Sequence, residues 1–522
     1  MPSDTSIAAA RERVVALRAS LEAHDGRPVR FVETHISWVL VGESVVHKLK
    51  KPVRLAFLDF TTLAARRRFC EAELRLNRRL APSLYLGVAE LRAGPGGPAF
   101  DGPGPVVDVA VRMRRFPDGA LWSEMLAAGT LDARHIDAMA QRLAEFHRDA
   151  AVAPVDSGFG GAAVHQRTVR GLVDGLEAWP GLPGVSATIA WPELRRWLDA
   201  QLLELAPLWA ARRRSGRVRE CHGDLHLANV LQLDGRAAAF DGIEFDDELR
   251  WIDVLDDAAF LAMDLLAHGR RDLAVRFLDA YLEASGDHDG LPALRFFLVC
   301  RALVRAQVKG LTAAEGVSET PGESTADYLA LAAALSRSAN ARLAITHGLP
   351  GSGKSFVSQG LLEAAGAMRV RSDVERKRLF GLRARQSSHE SVPGGIYGAD
   401  ATARTYERLL AVARIALDAG WPLIVDAAFL RRSERAQFAA LAASLGVAFC
   451  ILDCRAEHAV LHRRLAQRQA AGGDASEADA DVLERLIGAA EPLAEEEHRA
   501  AIVVDAARPM PIEVVVQRWL AA

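Results

Sequence analysis

Apolar and polar positions change their period several times along the chain, and each change predicts an element. Residues 39–50 (VLVGESVVHKLK) alternate as in strands, whereas 62–80 carry apolar residues at helical spacing. The Gly/Pro stretch 93–105 reads as a hairpin-like loop between two strands. Long amphipathic helices are predicted over 121–147 and 192–213, then short strands around an Asp-Gly turn over 230–240. Helices resume from 254 to about 309, a polar Gly/Ser/Pro/Glu stretch follows at 315–325, and one more helix spans 326–339. At Arg342 the texture changes. A short apolar strand, a glycine loop and a helix are followed by strands PLIVDAAF, AFCILDC and AIVVDA, each separated by helical segments, which predicts a parallel sheet with crossover helices. The expected domains are 1–340 and 341–522, and the fold class is α/β and α+β.

Composition narrows the partners. In 522 residues with half hydrophobic and a quarter charged, the net charge is −3. That mix excludes a disordered or fibrous chain. It also disfavours a nucleic-acid backbone as main partner, although a local basic groove stays open. The five cysteines are scattered, with no Cys-x-x-Cys pair, and read as reduced core thiols. The N-terminus lacks the build of a signal peptide, and no apolar run approaches the ~20 residues of a membrane span. A cytoplasmic, soluble protein with no membrane partner is expected.

The segment from Gly348 to Ser355 (GLPGSGKS) matches G-x-x-x-x-G-K-[ST] between a predicted strand and helix. Gly348, Gly351, Ser352 and Gly353 would turn backbone N–H groups toward phosphate oxygens, Lys354 would reach the β/γ-phosphates, and Ser355 would offer its hydroxyl to Mg²⁺. Asp373, after the next strand, is set to accept a proton from a hydroxyl, and Arg376 to hold an acceptor's phosphate or carboxylate. The competing reading is a helix cap with a solvated arginine. Asp426 ends an apolar strand, where a second carboxylate can hold Mg²⁺ through water or merely cap. Arg463, Arg464 and Arg468, ahead of the turn 471–474, form either a lid over a triphosphate or a solvated face.

A second constellation lies upstream. His222-Gly223-Asp224 with Asn229 has the spacing of a kinase catalytic loop, H-x-D-x-x-x-x-N, in which the Asp takes the hydroxyl proton and the Asn binds metal. Asp241, twelve residues after Asn229, stands where such folds place the main Mg²⁺ carboxylate. Lys48 and Lys50 share one face of their strand by period-two alternation, and only one need meet nucleotide. Lys48 is preferred, with Glu73 on the following helix to hold it.

Residues 342–522 resemble the predicted-kinase group of P-loop ATP-binding proteins, related to shikimate and gluconate kinases, zeta toxins and the polynucleotide 5′-kinase domain. The resemblance rests on GLPGSGKS, SDVERKRLFG, IVDAAF with Arg431, Arg432 and Arg435, and the arginine-rich segment. Asp373-x-x-Arg376 is similar to the Asp-x-x-Arg of polynucleotide kinases, which implies Asp373 as general base. Phe356 departs from it, where many relatives have a second hydroxyl residue. Residues 28–340 resemble the aminoglycoside phosphotransferase and choline kinase branch of the protein-kinase-like fold, a two-lobed domain. That resemblance implies Met113 to Phe116 as the hinge under adenine, and Asp253 and Asp257 as braces of the catalytic loop. The departure here is the missing G-x-G-x-x-G before Lys48, with only Gly42 present. The order of the two halves resembles a bacterial two-domain family and implies ATP and Mg²⁺ at two kinase-type sites.

The expected function is therefore phosphoryl transfer from ATP to a hydroxyl of a small-molecule acceptor. Two alternatives stand beside it: a regulatory ATP-binding protein in which one half controls the other, and a polynucleotide 5′-hydroxyl kinase acting through the C-terminal half. Neither the acceptor nor the oligomeric state is legible in the sequence.

Overall fold

The computed structural model describes residues 6–55, 58–179, 189–314, 323–384, 386–388, 396–471, 475–508 and 510–521. Most of the polar stretch 315–325 and of the turn 471–474 lies outside the described residues. By packing, the chain forms two compact units, residues 1–139, 149–164 and 210–257, and residues 140–148, 165–209 and 258–522. Residue 340 thus marks where the second motif set begins, while packing groups the helices before it with the P-loop sheet.

The first unit is built on strands β1 (Arg30–Glu33), β2 (Ser37–Val41), β3 (Val45–Lys50), β6 (Tyr85–Gly94), β7 (Gly97–Phe100) and β8 (Val106–Arg114), with a small β4–β5 ribbon (Arg54–Leu55, Leu58–Asp59). The order is β1-β2-β3-β8-β6-β7, and every neighbouring pair is antiparallel. Period-two alternation divides the sheet's faces. His47 and Leu49 lie on the face where Trp38, Leu40 and Ala110 meet Val14 and Leu17 of the helix Ile7–Asp25. Val46, Val109, Val111 and Met113 take the other face and pack with Cys70 of the helix Leu63–Asn77. Lys48 and Lys50 follow Val46 onto that face, and so meet the helix that carries Glu73.

β9 (Val218–Glu220) pairs with β12 (Trp251–Asp253), and β10 (Val230–Leu233) with β11 (Arg236–Ala239) across the turn Asp234-Gly235. Both turn residues have positive φ, 50° and 74°, as a two-residue hairpin requires. The stretch 93–105 is not all loop, because β7 forms within it and pairs with β6. The helix expected over 121–147 is two, Trp122–Ala127 and Ala133–Asp149. Gly129 at φ 69° turns the chain, and Asp132 accepts from the N–H groups of Arg134 and His135 to restart it. The helix over 192–213 likewise divides into Trp191–Glu204 and Ala206–Arg214.

The second unit holds a five-stranded parallel sheet of β13 (Arg342–His347), β14 (Met368–Arg371), β15 (Leu423–Asp426), β16 (Ala448–Arg455) and β17 (Ala501–Asp505), ordered β14-β15-β13-β16-β17. Its core joins Ala344, Ile424 and Leu452 of the strands to Leu361 and Leu362 of the helix Lys354–Ala365, and to Trp519 of the helix Ile512–Ala521. Val275, of the helix Arg271–Ser285, belongs to the same core. The first unit is thus built on an antiparallel sheet and the second on a parallel one. Among the described residues no helix is long and apolar enough to cross a membrane.

Candidate active sites

In the first unit Lys48 donates to Glu73 Oε1 at 3.1 Å and also pairs with Asp241. Lys50, its neighbour on the same face, donates to Glu73 Oε2 at 2.7 Å and pairs with Glu244. Glu73 is fully buried between the two ammonium groups. Burial alone would push its carboxyl up, but Lys48 and Lys50 outweigh burial and hold it far below the usual carboxylate range. Burial likewise opposes the charge of Lys48, and Asp241, Glu73 and Glu244 more than restore it. Glu244 itself is pushed up by burial.

Asp224 and Asn229 stand on one loop. The amide nitrogen of Asn229 donates to the backbone oxygen of Asp224 at 2.9 Å and to its Oδ2 at 3.0 Å. With the nitrogen so used, the amide oxygen of Asn229 is the atom that could meet a cation. The loop is tied from below, since Asp257 accepts from the N–H of His222 at 3.1 Å and of Gly223 at 2.8 Å. Gly223 is at φ 85°, and a Cβ there would lie 2.6 Å from the Leu249 oxygen. Asp253 pairs with Arg212 at 2.6 and 2.7 Å instead of touching the loop. Asp241 sits at φ 61° with its N–H donated to the Tyr85 hydroxyl at 3.1 Å, and the N–H of Gly242 is bound by Asn77 at 2.8 Å. Sequence reasoning missed Glu244, Tyr85 and Asn77. The alternation that paired Lys50 with Lys48 was a signal that a second carboxylate was required.

In the second unit the glycine loop lies at the carboxyl end of β13, where parallel sheets bind ligands. Gly348, Gly351 and Gly353 have φ of 138°, 83° and 99°, and a Cβ on Gly348 would meet the Cys454 oxygen at 2.4 Å. Lys354 Nζ donates to the loop's own carbonyls of Gly348 and Leu349, both at 2.9 Å. Burial lowers its pKa, with Asp426 opposing. The buried Ser352 hydroxyl has no hydrogen-bond partner among the described residues. A cradle that only glycine can form, an unsatisfied buried hydroxyl and a lysine turned on backbone carbonyls fit a phosphate chain. Ser355 and Asp426, on the same cleft, offer oxygen donors that fit Mg²⁺.

The cleft, about 1830 Å³, is also lined by Asp373, Arg376, Tyr397, Arg464 and Arg468. Arg376 is only 7 % exposed, donates to the Ile396 oxygen at 3.2 Å and Thr402 Oγ1 at 3.0 Å, and lies 5.2 Å from the Tyr397 ring centroid. No carboxylate among the described residues pairs with it. Arg464 donates to the Gly351 oxygen at 3.0 Å and Arg468 to the Ala478 oxygen at 2.7 Å, whereas Arg463 faces solvent. Arg435, matched by pattern, is a buried anchor that pairs with Glu497 at 2.7 Å and does not line the cleft. Phe356 is 84 % exposed on the cleft's rim. Tyr397 and Arg371 lacked any motif that would have pointed to them.

Comparison with known sequences bears on the second of the two constellations and on the chain as a whole. Residues 343–493 match the family described as an AAA domain. The chain is 33 % identical over 445 residues to the uncharacterized protein Rv2004c of Mycobacterium tuberculosis and to the uncharacterized protein Mb2027c of Mycobacterium bovis, covering 85 % of this chain and 87 % of each relative. The chain belongs to their family. Among solved structures, a choline/ethanolamine kinase family protein from Mesorhizobium loti is 12 % identical, with 63 % of this chain and 95 % of that one covered and a TM-score of 0.37. A sugar kinase from Janibacter is 20 % identical over 35 % of this chain and 93 % of that one, with a TM-score of 0.26.

Proposed function

We propose that the protein is an ATP- and Mg²⁺-dependent phosphotransferase with two kinase-type sites, each acting on a hydroxyl of a small-molecule acceptor. The observation that carries this reading is the seating of Lys48 between Glu73 and Asp241 in the same unit as the Asp224/Asn229 loop. Bound ATP supplies the γ-phosphoryl group, and Mg²⁺ lowers the charge barrier to its transfer. In the first site Asn229 and Asp241 hold the metal, Lys48 aligns phosphate oxygens, and Asp224 takes the acceptor's proton at its carboxylate. In the second, the loop from Gly348 to Ser355 cradles phosphates, Ser355 and Asp426 hold the metal, and Asp373 takes the proton. Arg376 adds a buried positive charge beside Asp373, which favours an anionic acceptor, a phosphate or carboxylate bearer. Arg464 and Arg468 close over the phosphate chain.

The test is a metabolite pool incubated with ATP and Mg²⁺ and screened for products heavier by one phosphoryl group. Asp224→Ala is expected to abolish products of the first site, with a loss of at least ~10²-fold, and Lys354→Ala those of the second. Wild-type turnover in both single variants would sink the assignment.

A further inference from the structure

We infer that Glu283, on the helix Arg271–Ser285, is a positioning residue for the P-loop site: it engages Arg371 and so keeps that guanidinium from neutralising Asp426. The inference rests on the nucleotide-binding reading of that site and adds to it a residue from outside the P-loop motif set.

Arg371 ends β14 and Asp426 ends β15, and the two are register partners on adjacent parallel strands. Arg371 Nη1 lies 3.3 Å from each carboxylate oxygen of Glu283, and its Nε lies 3.7 Å from Asp426 Oδ2. The Arg371 side chain is 17 % exposed and that of Asp426 4 %, so water screens the group weakly. Glu283 and Asp426 therefore both draw on one guanidinium. With Glu283 charged, much of that positive charge is spent on it and Asp426 stays available to a divalent cation. Without it, more of the charge of Arg371 acts on Asp426 and repels the arriving metal.

The contact is built into the packing and is not a stray surface pair. One helical turn before Glu283, Asp279 pairs with Arg369 at 2.6 and 3.3 Å, both side chains being buried. Four residues of helix rise about 6 Å and two residues of strand about 6.6 Å. Asp279 and Glu283 thus match Arg369 and Arg371 rung for rung. The end of the ladder is fixed as well, because Arg378 Nη2 donates to the backbone oxygen of Glu283 at 2.6 Å. Gly286 at φ 71° closes the helix with its N–H on the Leu282 oxygen at 2.8 Å.

The experiment uses the full chain carrying Asp241→Asn, which removes the metal carboxylate of the first site. A fluorescent methylanthraniloyl ATP is the probe, and binding is followed as MgCl₂ is raised. Glu283→Gln is expected to raise the half-saturating Mg²⁺ concentration about tenfold, the scale of one like charge brought to bear at close range. The double variant E283Q/R371Q is expected to return to within about twofold of the parent, a reversal that mere loss of packing would not produce. If E283Q fails to melt cooperatively, Arg371→Gln alone carries the test and is expected to lower the Mg²⁺ requirement. The inference is overturned if E283Q stays within twofold of the parent, if the double variant stays as high as E283Q, or if R371Q raises the requirement. A parent with no Mg²⁺-dependent signal above that of the Lys354→Ala control would overturn the nucleotide reading itself, and this inference with it.

Discussion

His47 and Lys48 are neighbours in the chain and live in opposite electrostatic worlds, because alternate residues of β3 face opposite sides of the sheet. Lys48 is held charged by carboxylates. His47 is stacked on Phe100 at 4.0 Å between ring centroids and accepts at Nε2 from Arg112 at 3.3 Å, a bond that only the neutral ring can make. Burial, aided by Arg112, pushes its pKa down to about 4 from 6.5. Between those values the unfolded chain binds a proton that the folded chain lacks. Stability is therefore fully present above pH 6.5 and falls as the pH drops toward 4, by ~3 kcal/mol at most. Melting temperatures measured from pH 7 to 4 should fall less steeply in His47→Phe than in the parent. Parallel curves would show that the ring titrates normally.

At the scale of elements, the helix Ser372–Leu379 and the strand before it supply Arg371, Asp373 and Arg376 to the P-loop cleft, and another helix holds them in place. Glu375 is buried and meets Arg408 at 3.3 Å as well as Arg378, which itself reaches the helix Arg271–Ser285. The Asp279–Arg369 pair, with side chains 6 % and 5 % exposed, is the buried part of that contact. Burial pushes the Asp279 carboxyl up, and Arg369 opposes it. Removing Asp279 leaves Arg369 buried without its carboxylate, with only the neutral Ser358 and Gln359 as acceptors, so Asp279→Ala is expected to cost about 3–5 kcal/mol in denaturant unfolding. Replacing both by Leu and Met should recover most of that loss. A cost below about 1 kcal/mol for D279A would mean that water already reaches Arg369.

At the scale of the molecule, the motif boundary near residue 340 and the packing of the chain serve different ends. A fragment of residues 341–522 contains every P-loop motif yet lacks Val275 from its core and Asp279 from beside Arg369. It is expected to melt at a lower temperature, and to be cut faster by protease, than a fragment of residues 258–522. Equal stability of the two would show that the second motif set folds unaided.

Most of the candidate groups were legible in the chain because they depend on short spacings. The glycine loop from Gly348 to Ser355 and the Asp224 to Asn229 loop are local, and a local backbone conformation brings their groups together. Period-two alternation likewise placed Lys48 and Lys50 on one face. What the sequence could not decide were partners chosen by packing over long separations: Glu244 for Lys50, Glu283 for Arg371, and β7 inside a stretch rich in glycine and proline. An ion pair forms where the burial of apolar faces brings two charges together, and no spacing in the chain encodes that meeting. Sequence alone thus determined which groups could handle phosphate and metal, and tertiary structure decided which neighbours hold them charged, aligned and apart.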